Sequence, residues 1–332
     1  MAQQDRLVSD CAVAIDGAPL PCAIDAKVVR VEVELATDRI GLCRIIFGDA
    51  DLQLMSGEIF GPGKSVHVSV GFQGKQRAIF DGEVVALEPR FARDVPPVLC
   101  VRAMERLHRL ALSTHTRAFN DVDDRQLVAT IARDHGLTGE AQRSPCEHVL
   151  QRGQTDAQFL RPRAQRGGHA LRVEGKKLIL GPPPKRAEIF LAPGGSLQRL
   201  SVRMRAAGQV EEIVAHGYDA KEKRAIEEKS KVPGDGVRLS SRFGKQVVDL
   251  EGVALASPED AARIARSRAE MLADDHATAD GRLSGNSDLL PGATLTFQKF
   301  GPRIDGKYRV ESARHDFSHA GYRTEFSSFR LR

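Results

Sequence analysis

The chain spells out one order of strand and turn signals twice, and that recurrence restricts its architecture more than any other feature. Early on, Val29, Val31, Val33 and Leu35 are separated by Arg30, Glu32 and Glu34, and Val66, Val68, Val70 and Phe72 alternate with His67, Ser69 and Gly71. Alternation with period two sends one face of a strand into a core and the other toward water or a neighbour. Gly61-Pro62-Gly63 and Asp81-Gly82 supply turns between the runs. Residues 27 to about 111 therefore read as an antiparallel sheet curled into a barrel. Within it, Pro62-Gly63, an alternating strand, Phe80-Asp81-Gly82, another strand, a loop and a strand from Val98 follow in order. Near the end come Pro291-Gly292, an alternating strand, Ile304-Asp305-Gly306, another strand, a loop through His319-Ala320-Gly321 and a strand from Tyr322. Both dipeptides are generic turn formers, so chance similarity of hairpins is the competing explanation.

Between the two copies the period changes. Asp123 is placed to cap a helix carrying Leu127, Val128 and Ile131 on one face, with Gly136 ending it. Thr155 and Gln158 form a capping-box pair for a second helix with Phe159, Leu160 and Ala164 inward. Pro162 is expected to kink or shorten that helix, and Gly167-Gly168 to stop it. Leu171-Arg172-Val173 and Lys177-Leu178-Ile179-Leu180 read as a hairpin around Glu174-Gly175, closed by Gly181-Pro182-Pro183-Pro184. The last third reads as strands at Glu212–Tyr218, Thr294–Phe297, Tyr308–Phe317 and Tyr322–Leu331. One helix interrupts them, capped by Ser257 before Pro258, with Ala261, Ile264, Ala265, Met271 and Leu272 as its buried stripe. The charged, glycine-containing stretch Ala220–Asp249 reads as a long loop or extension. The expected fold is mainly β with an α+β insert: two tube-like antiparallel β-barrel domains plus a small α+β domain. The expected domains are 1–111 (first barrel), 112–184 (insert) and 185–332 (second barrel, with one long helix and a charged extension at about 220–249).

Composition removes several function classes. At 332 residues the chain has room for two or three domains. Trp is absent and aromatics are 5%, which argues against an aromatic-lined sugar or nucleic-acid groove. The net charge of +5 comes from interleaved signs, as in Asp219-Ala220-Lys221-Glu222-Lys223-Arg224, rather than from a basic stripe. Cys11, Cys22, Cys43, Cys100 and Cys146 are odd in number and include no C-x-x-C pair, so reduced thiols made in a cytoplasm are expected. Met1 to Asp10 is too polar for a secretory signal, and no apolar run approaches the roughly 18 residues that span a bilayer.

Candidate chemistry meets a structural explanation each time. Asn120-Asp121-Val122-Asp123-Asp124 lacks the loop glycine and distal glutamate of a calcium hand and reads as a turn with a helix cap. His315 and His319 lie on a strand leading into a turn, where i and i+4 need not share a face. Asp274-Asp275-His276 reads as a solvated helix end. Cys100, the nearest partner for His108, sits in the apolar run Val98-Leu99-Cys100-Val101 as an inert thiol. Gly71-Phe72-Gln73-Gly74 has no following helix to bind phosphate, and no Walker motif, nucleophile elbow or zincin motif occurs. No catalytic, cofactor-binding or metal residue is expected.

At Gly63–Gly71, Ile79–Val84, Gly136-Leu137, Gln154–Leu160, Gly167-Gly168 and Ala215–Asp219, taken in order, the sequence resembles the phage late control D family. That family includes tail hub proteins and the first part of VgrG-type spikes. The resemblance spans about residues 27 to 330. It implies a homotrimeric baseplate hub of a contractile tail or injection machine, between a hexameric tail tube protein and a trimeric spike protein. Such a protein is made in the bacterial cytoplasm and assembled into the particle with other baseplate proteins. It has no enzymatic role, no specific nucleic acid and no stable membrane insertion. A chain that repeats one barrel fits this, because three copies give six barrels. The competing readings are a tail-associated peptidoglycan hydrolase, which requires a carboxylate pair, and a duplex-DNA regulator, for which no helix-turn-helix with a basic recognition helix is present.

Overall fold

A computed structural model describes residues 9–37, 39–72, 75–166, 168–205, 210–219, 223–232, 246–250, 258–273 and 277–331. Residues 1–8, Gln73-Gly74, Gly167, the Ser257 cap and Asp274-Asp275-His276 lie outside the described residues, as do the side chains of Met271 and Leu272.

The first half comprises β1 (Ser9–Ile15), β2 (Ala18–Pro19), α1 (Cys22–Asp25), β3 (Val28–Ala36), β4 (Leu42–Gly48), α2 (Gln53–Ser56), β5 (Ser65–Phe72), β6 (Lys75–Ala92) and β7 (Val95–Met104). Its strands follow the order β3-β4-β7-β6-β5-β1-β2, every neighbour antiparallel. Most alternating residues do as their period dictates: Val31, Val33, Ile45, Phe47, Val66, Val68, Leu99 and Val101 are buried in one core, whereas Val29 is exposed where the register shifts between Val28 and Arg30. Val13 and Ile15 of β1 join that core with Val31 and Val33 of β3, although β1 and β3 are far apart in the strand order. The sheet must therefore curl, as a barrel does.

After the first half come β8 (Thr114–Val122), α3 (Asp124–Asp134), β9 (Thr138–Ala141), β10 (Glu147–Thr155), α4 (Asp156–Arg166), β11 (Ala170–Glu174) and β12 (Lys177–Gly181). The second half then runs through β13 (Glu188–Leu191), β14 (Leu197–Met204), β15 (Glu212–Asp219), β16 (Arg224–Lys231), β17 (Val247–Leu250), α5 (Pro258–Ala273), β18 (Ala277–Ser284), β19 (Thr294–Phe297), β20 (Gly306–Ser318) and β21 (Gly321–Arg330). Its large sheet has the order β14-β18-β21-β20-β19-β13. In both chain order and space this repeats β3-β4-β7-β6-β5-β1.

The repetition extends to irregularities. A register shift between Val28 and Arg30 against β4 recurs between Leu197 and Arg199 against β18. Another, between Val84 and Ala86 against β7, recurs between Val310 and Ser312 against β21. The amide of Gly63 donates to Val84 O at 2.8 Å and Val84 N donates to Lys64 O at 2.9 Å, while Gly292 and Val310 with Ala293 make the same two bonds at 2.8 and 2.9 Å. Gly63 and Gly292 both take the left-handed backbone, with φ of 82° and 86°. Bulges are specific local features, so their coincidence separates a repeat from chance hairpins. One expected equivalence is corrected. Gly82 faces Val66 and Gly306 faces Phe297, so the counterpart of Gly82 is Tyr308, opposite Leu295. The outermost pair also differs: β13 runs parallel to β19, whereas β1 is antiparallel to β5.

The halves are not separate bodies. Residues Ser312–Ser318 of β20 pair with Ala36–Arg30 of β3, which fuses both sheets into one. Tyr322 and Phe317 of the second half pack in the first core.

Two α+β units interrupt this framework, where the sequence led us to expect one. In the first, reciprocal bonds link Asp123 with Gln126 and Thr155 with Gln158, so both helices begin on capping boxes. Helix α4 runs unbroken through Pro162, contrary to expectation. Pro162 lies on the exposed face, as does Gln158, so the carbonyl left without a donor there is open to water. Gly139 lets β9 lie against α3: a Cβ there would fall 2.5 Å from Ala129 Cα and 2.6 Å from Val128 O. Because both obstacles are backbone, Gly139→Ala is expected to cost about 2 kcal/mol of stability, read as a lower midpoint in urea unfolding.

The second unit corrects the reading of residues 220–249 as a loop or extension. Strand β15 leaves the barrel and forms a separate sheet, β16-β15-β17, covered by α5. Part of the supposed loop is thus strand. Its charges occupy exposed positions, while Ile226 points into a core with Ile213, Ala261 and Ala265. Residues 233–245 lie outside the described residues. Both units hang from one end of the barrels, one beyond Met104 and the other between the facing residues Met204 and Ala277. They touch there, Arg263 Nη1 donating to Arg166 O at 3.3 Å.

Candidate assembly surface

The face of the shared sheet turned away from the cores carries a ladder of ion pairs. Glu88 on β6 accepts from Arg102 on β7 at 2.7 Å. Across the seam, the nearly buried Glu32 on β3 meets Arg30 at 2.8 Å, Arg44 at 3.3 Å and Arg314 at 2.7 Å. Arg30 also grips Asp316 with two parallel bonds of 2.9 Å, and Arg282 reaches Glu325 at 2.5 Å. The bond to Asp316 raises the Arg30 pKa, and the bond to Glu32 raises that of Arg314, fixing both as cations. With Glu34, 2.5 Å from Arg44, these five arginines face five carboxylates, so the ladder is polar and its paired charges balance. Singly such exposed pairs add little; as a network they fix register across the seam.

Beneath the ladder, His315 is buried, its Nδ1 2.8 Å from the hydroxyl of Tyr322. Burial pushes its pKa down to about 4, and pushes the Tyr322 phenol up. His319 lies in the exposed turn beyond the strand.

The barrel end opposite the α+β units carries, among the described residues, only short connections such as α1 and α2. In the first half it carries exposed Val29, Leu52, Met55, Phe91 and Val95, brought together where Asp49 N donates to Pro97 O at 2.9 Å and Lys27 pairs with Asp51 at 3.0 Å. In the second half Leu289 and Leu290 are buried, and the exposed turn is His319-Ala320. Two strand edges are also open. β14 pairs only with β18, and β6 beyond Val84 pairs only with β7 among the described residues.

The other candidates resolve into packing. Asp123 caps α3, Asp124 pairs with Arg163 at 2.8 Å, and Asp121 adopts a turn with φ of 53°. Cys100 is buried in β7, and burial raises its pKa. His108 turns its Nδ1 to the carbonyl of Glu105 at 3.0 Å. No group of three or more His, Cys, Asp or Glu is arranged for a metal among the described residues. No helix there is long and apolar enough to cross a membrane. One polar centre was not read from the sequence. Asp156, 1% exposed, receives Arg117 Nη2 at 2.6 Å, Gln151 Nε2 at 2.8 Å and His135 Nε2 at 2.8 Å. Gln151, its amide donor, is fully buried.

The fold is that of phage tail and type VI secretion proteins, as the resemblance to tail hubs and VgrG-type proteins implied. The 43 kDa tail protein of prophage MuSo2 from Shewanella oneidensis superposes with a TM-score of 0.70 at 13% identity, over 97% of this chain and 98% of that one. A tail protein of Neisseria meningitidis MC58 gives 0.68 at 13% identity, over 97% of each chain. An E. coli component of the type VI secretion system, described as similar to the T4 bacteriophage tail proteins gp27 and gp5, gives 0.60 at 15% identity over 96% of this chain and 77% of that one. The chain belongs to the Alg8 N-terminal domain family, whose model matches residues 5–319. No curated protein matches it.

Proposed function

We propose that this chain is the structural hub of a contractile tail or related injection machine, a homotrimer that adapts a sixfold tail tube to a threefold spike. Residues 1–111 and 185–332 serve as the two barrels and 112–184 as the α+β insert, with a second α+β unit carried inside the second barrel. One observation supports this above all: the six-strand unit occurs twice with the same order and with two register shifts at equivalent places. Three chains then present six similar barrel ends around a threefold axis. The end away from the α+β units suits the tube, because among the described residues neither unit reaches it. The opposite end, with both α+β units, suits the spike and other baseplate proteins. The reading assigns no catalytic, cofactor-binding or metal residue. Light scattering of the full chain is expected to give the mass of three copies, and electron micrographs a ring with six lobes. A chain that stays monomeric even with the tube protein present rejects the proposal.

A further inference from the structure

We infer that neighbouring copies join strand to strand, β6 of one pairing antiparallel with β14 of the next, in the register that β20 and β3 use inside one chain. The inference rests on the trimer reading and gives its interface. The matched bulges make Ala86–Ala92 the counterpart of Ser312–Ser318, and make β14 the counterpart of β3. Within the chain the later part of β20 is covered by β3. The same part of β6 has no strand on that side among the described residues, and β14 has an open edge. Each chain thus ends in one half of a junction whose complete form it already contains at its centre. The edges are not self-complementary, so the contact is head-to-tail and propagates into a ring.

The side chains at the open edges agree with this register. It sets Phe91 of one copy opposite Leu200 of the next, as Phe317 stands opposite Val31. Phe317 is packed in the seam, whereas Phe91 is 66% exposed, the state expected of a seam residue whose partner is another molecule. It sets Glu88 opposite Arg203, where the chain's own seam has Arg314 opposite Glu34. Arg203 has no ion-pair partner among the described residues, and its arrival beside Glu88 would carry the charge ladder from one chain into the next. One position opposes the fit: Arg90 stands where Asp316 stands in the seam, diagonal to Arg199, the counterpart of Arg30.

The test uses the full chain with its exposed Cys22 and Cys146 changed to Ser. Oxidation of the Glu88→Cys, Arg203→Cys variant is expected to link adjacent copies into dimers and closed trimers. The variant Glu88→Cys, Val202→Cys, whose second thiol points to the other face, is expected to link several-fold less. Trimers by mass without the 88–203 link would overturn the pairing and leave the hub reading intact. Monomers in the presence of the tube protein would remove both. As a second route, Arg90→Asp restores the seam's charge pattern and is expected to raise the trimer fraction several-fold in dilute solution. An unchanged or lower fraction counts against the register.

Discussion

Replacing Asp156 with Ala is expected to lower the stability of the first α+β unit by about 3 kcal/mol, seen as an earlier urea transition. The carboxylate sits at the first position of α4, and its three donors come from elsewhere: Arg117 from β8, Gln151 from β10 and His135 from the end of α3. Burial alone would raise its pKa, yet the bonds from His135, Gln151 and Arg117 hold it below the usual carboxylate value. Removing it leaves a guanidinium, a buried amide and an imidazole turned toward an empty position, and unmet polar groups cost more than the lost bonds themselves. Asp156→Asn keeps an oxygen acceptor without the charge, so its loss should be smaller. Equal losses in the two variants would show that the charge is irrelevant. A loss under about 0.5 kcal/mol for Ala would show that the centre holds nothing together.

The second large effect is on acid stability. His315 is neutral in the folded seam, with its pKa depressed from 6.5 to about 4. Above pH 6.5 neither folded nor unfolded chain carries the proton, and this residue adds no pH dependence. Between 6.5 and 4 the unfolded chain takes up a proton that the folded chain refuses, so stability declines as pH falls. Below about 4 both forms are protonated and the decline ends. Across that window the loss amounts to about 3 kcal/mol. His315→Gln keeps a partner for the Tyr322 hydroxyl but does not titrate, so its stability profile between pH 6.5 and 4 should be flatter by that amount. Parallel profiles for the two proteins would exclude His315 as the sensor.

Much of the barrel framework was legible because alternation, turn dipeptides and helix caps act locally. Val31 and Val33, the Pro62-Gly63 turn, and the capping residues Asp123 and Thr155 all stand where short-range rules put them. What escaped notice depends on partners far apart in the chain. Arg30 and Asp316, or Glu32 and Arg314, are ordinary surface charges until β20 lies beside β3. The second α+β unit escaped because β16 buries so little: Ile226 is its one fully buried side chain, and the charges around it read as loop. Asp156 escaped because a helix-starting aspartate is common, and only the fold brings three donors to it.

The placement of the second α+β unit has a consequence for how such a chain diversifies. In the first barrel the strands equivalent to β14 and β18 are joined directly by residues 37–41. In the second, the same step is opened between Met204 and Ala277, which remain side by side. Whatever occupies that gap leaves and returns within one rung, so it is free to be shortened, exchanged or replaced without altering the path of the sheet. The chain therefore has a port for grafting, set in the end that carries both appended units, where an exchange leaves the barrel sheet untouched.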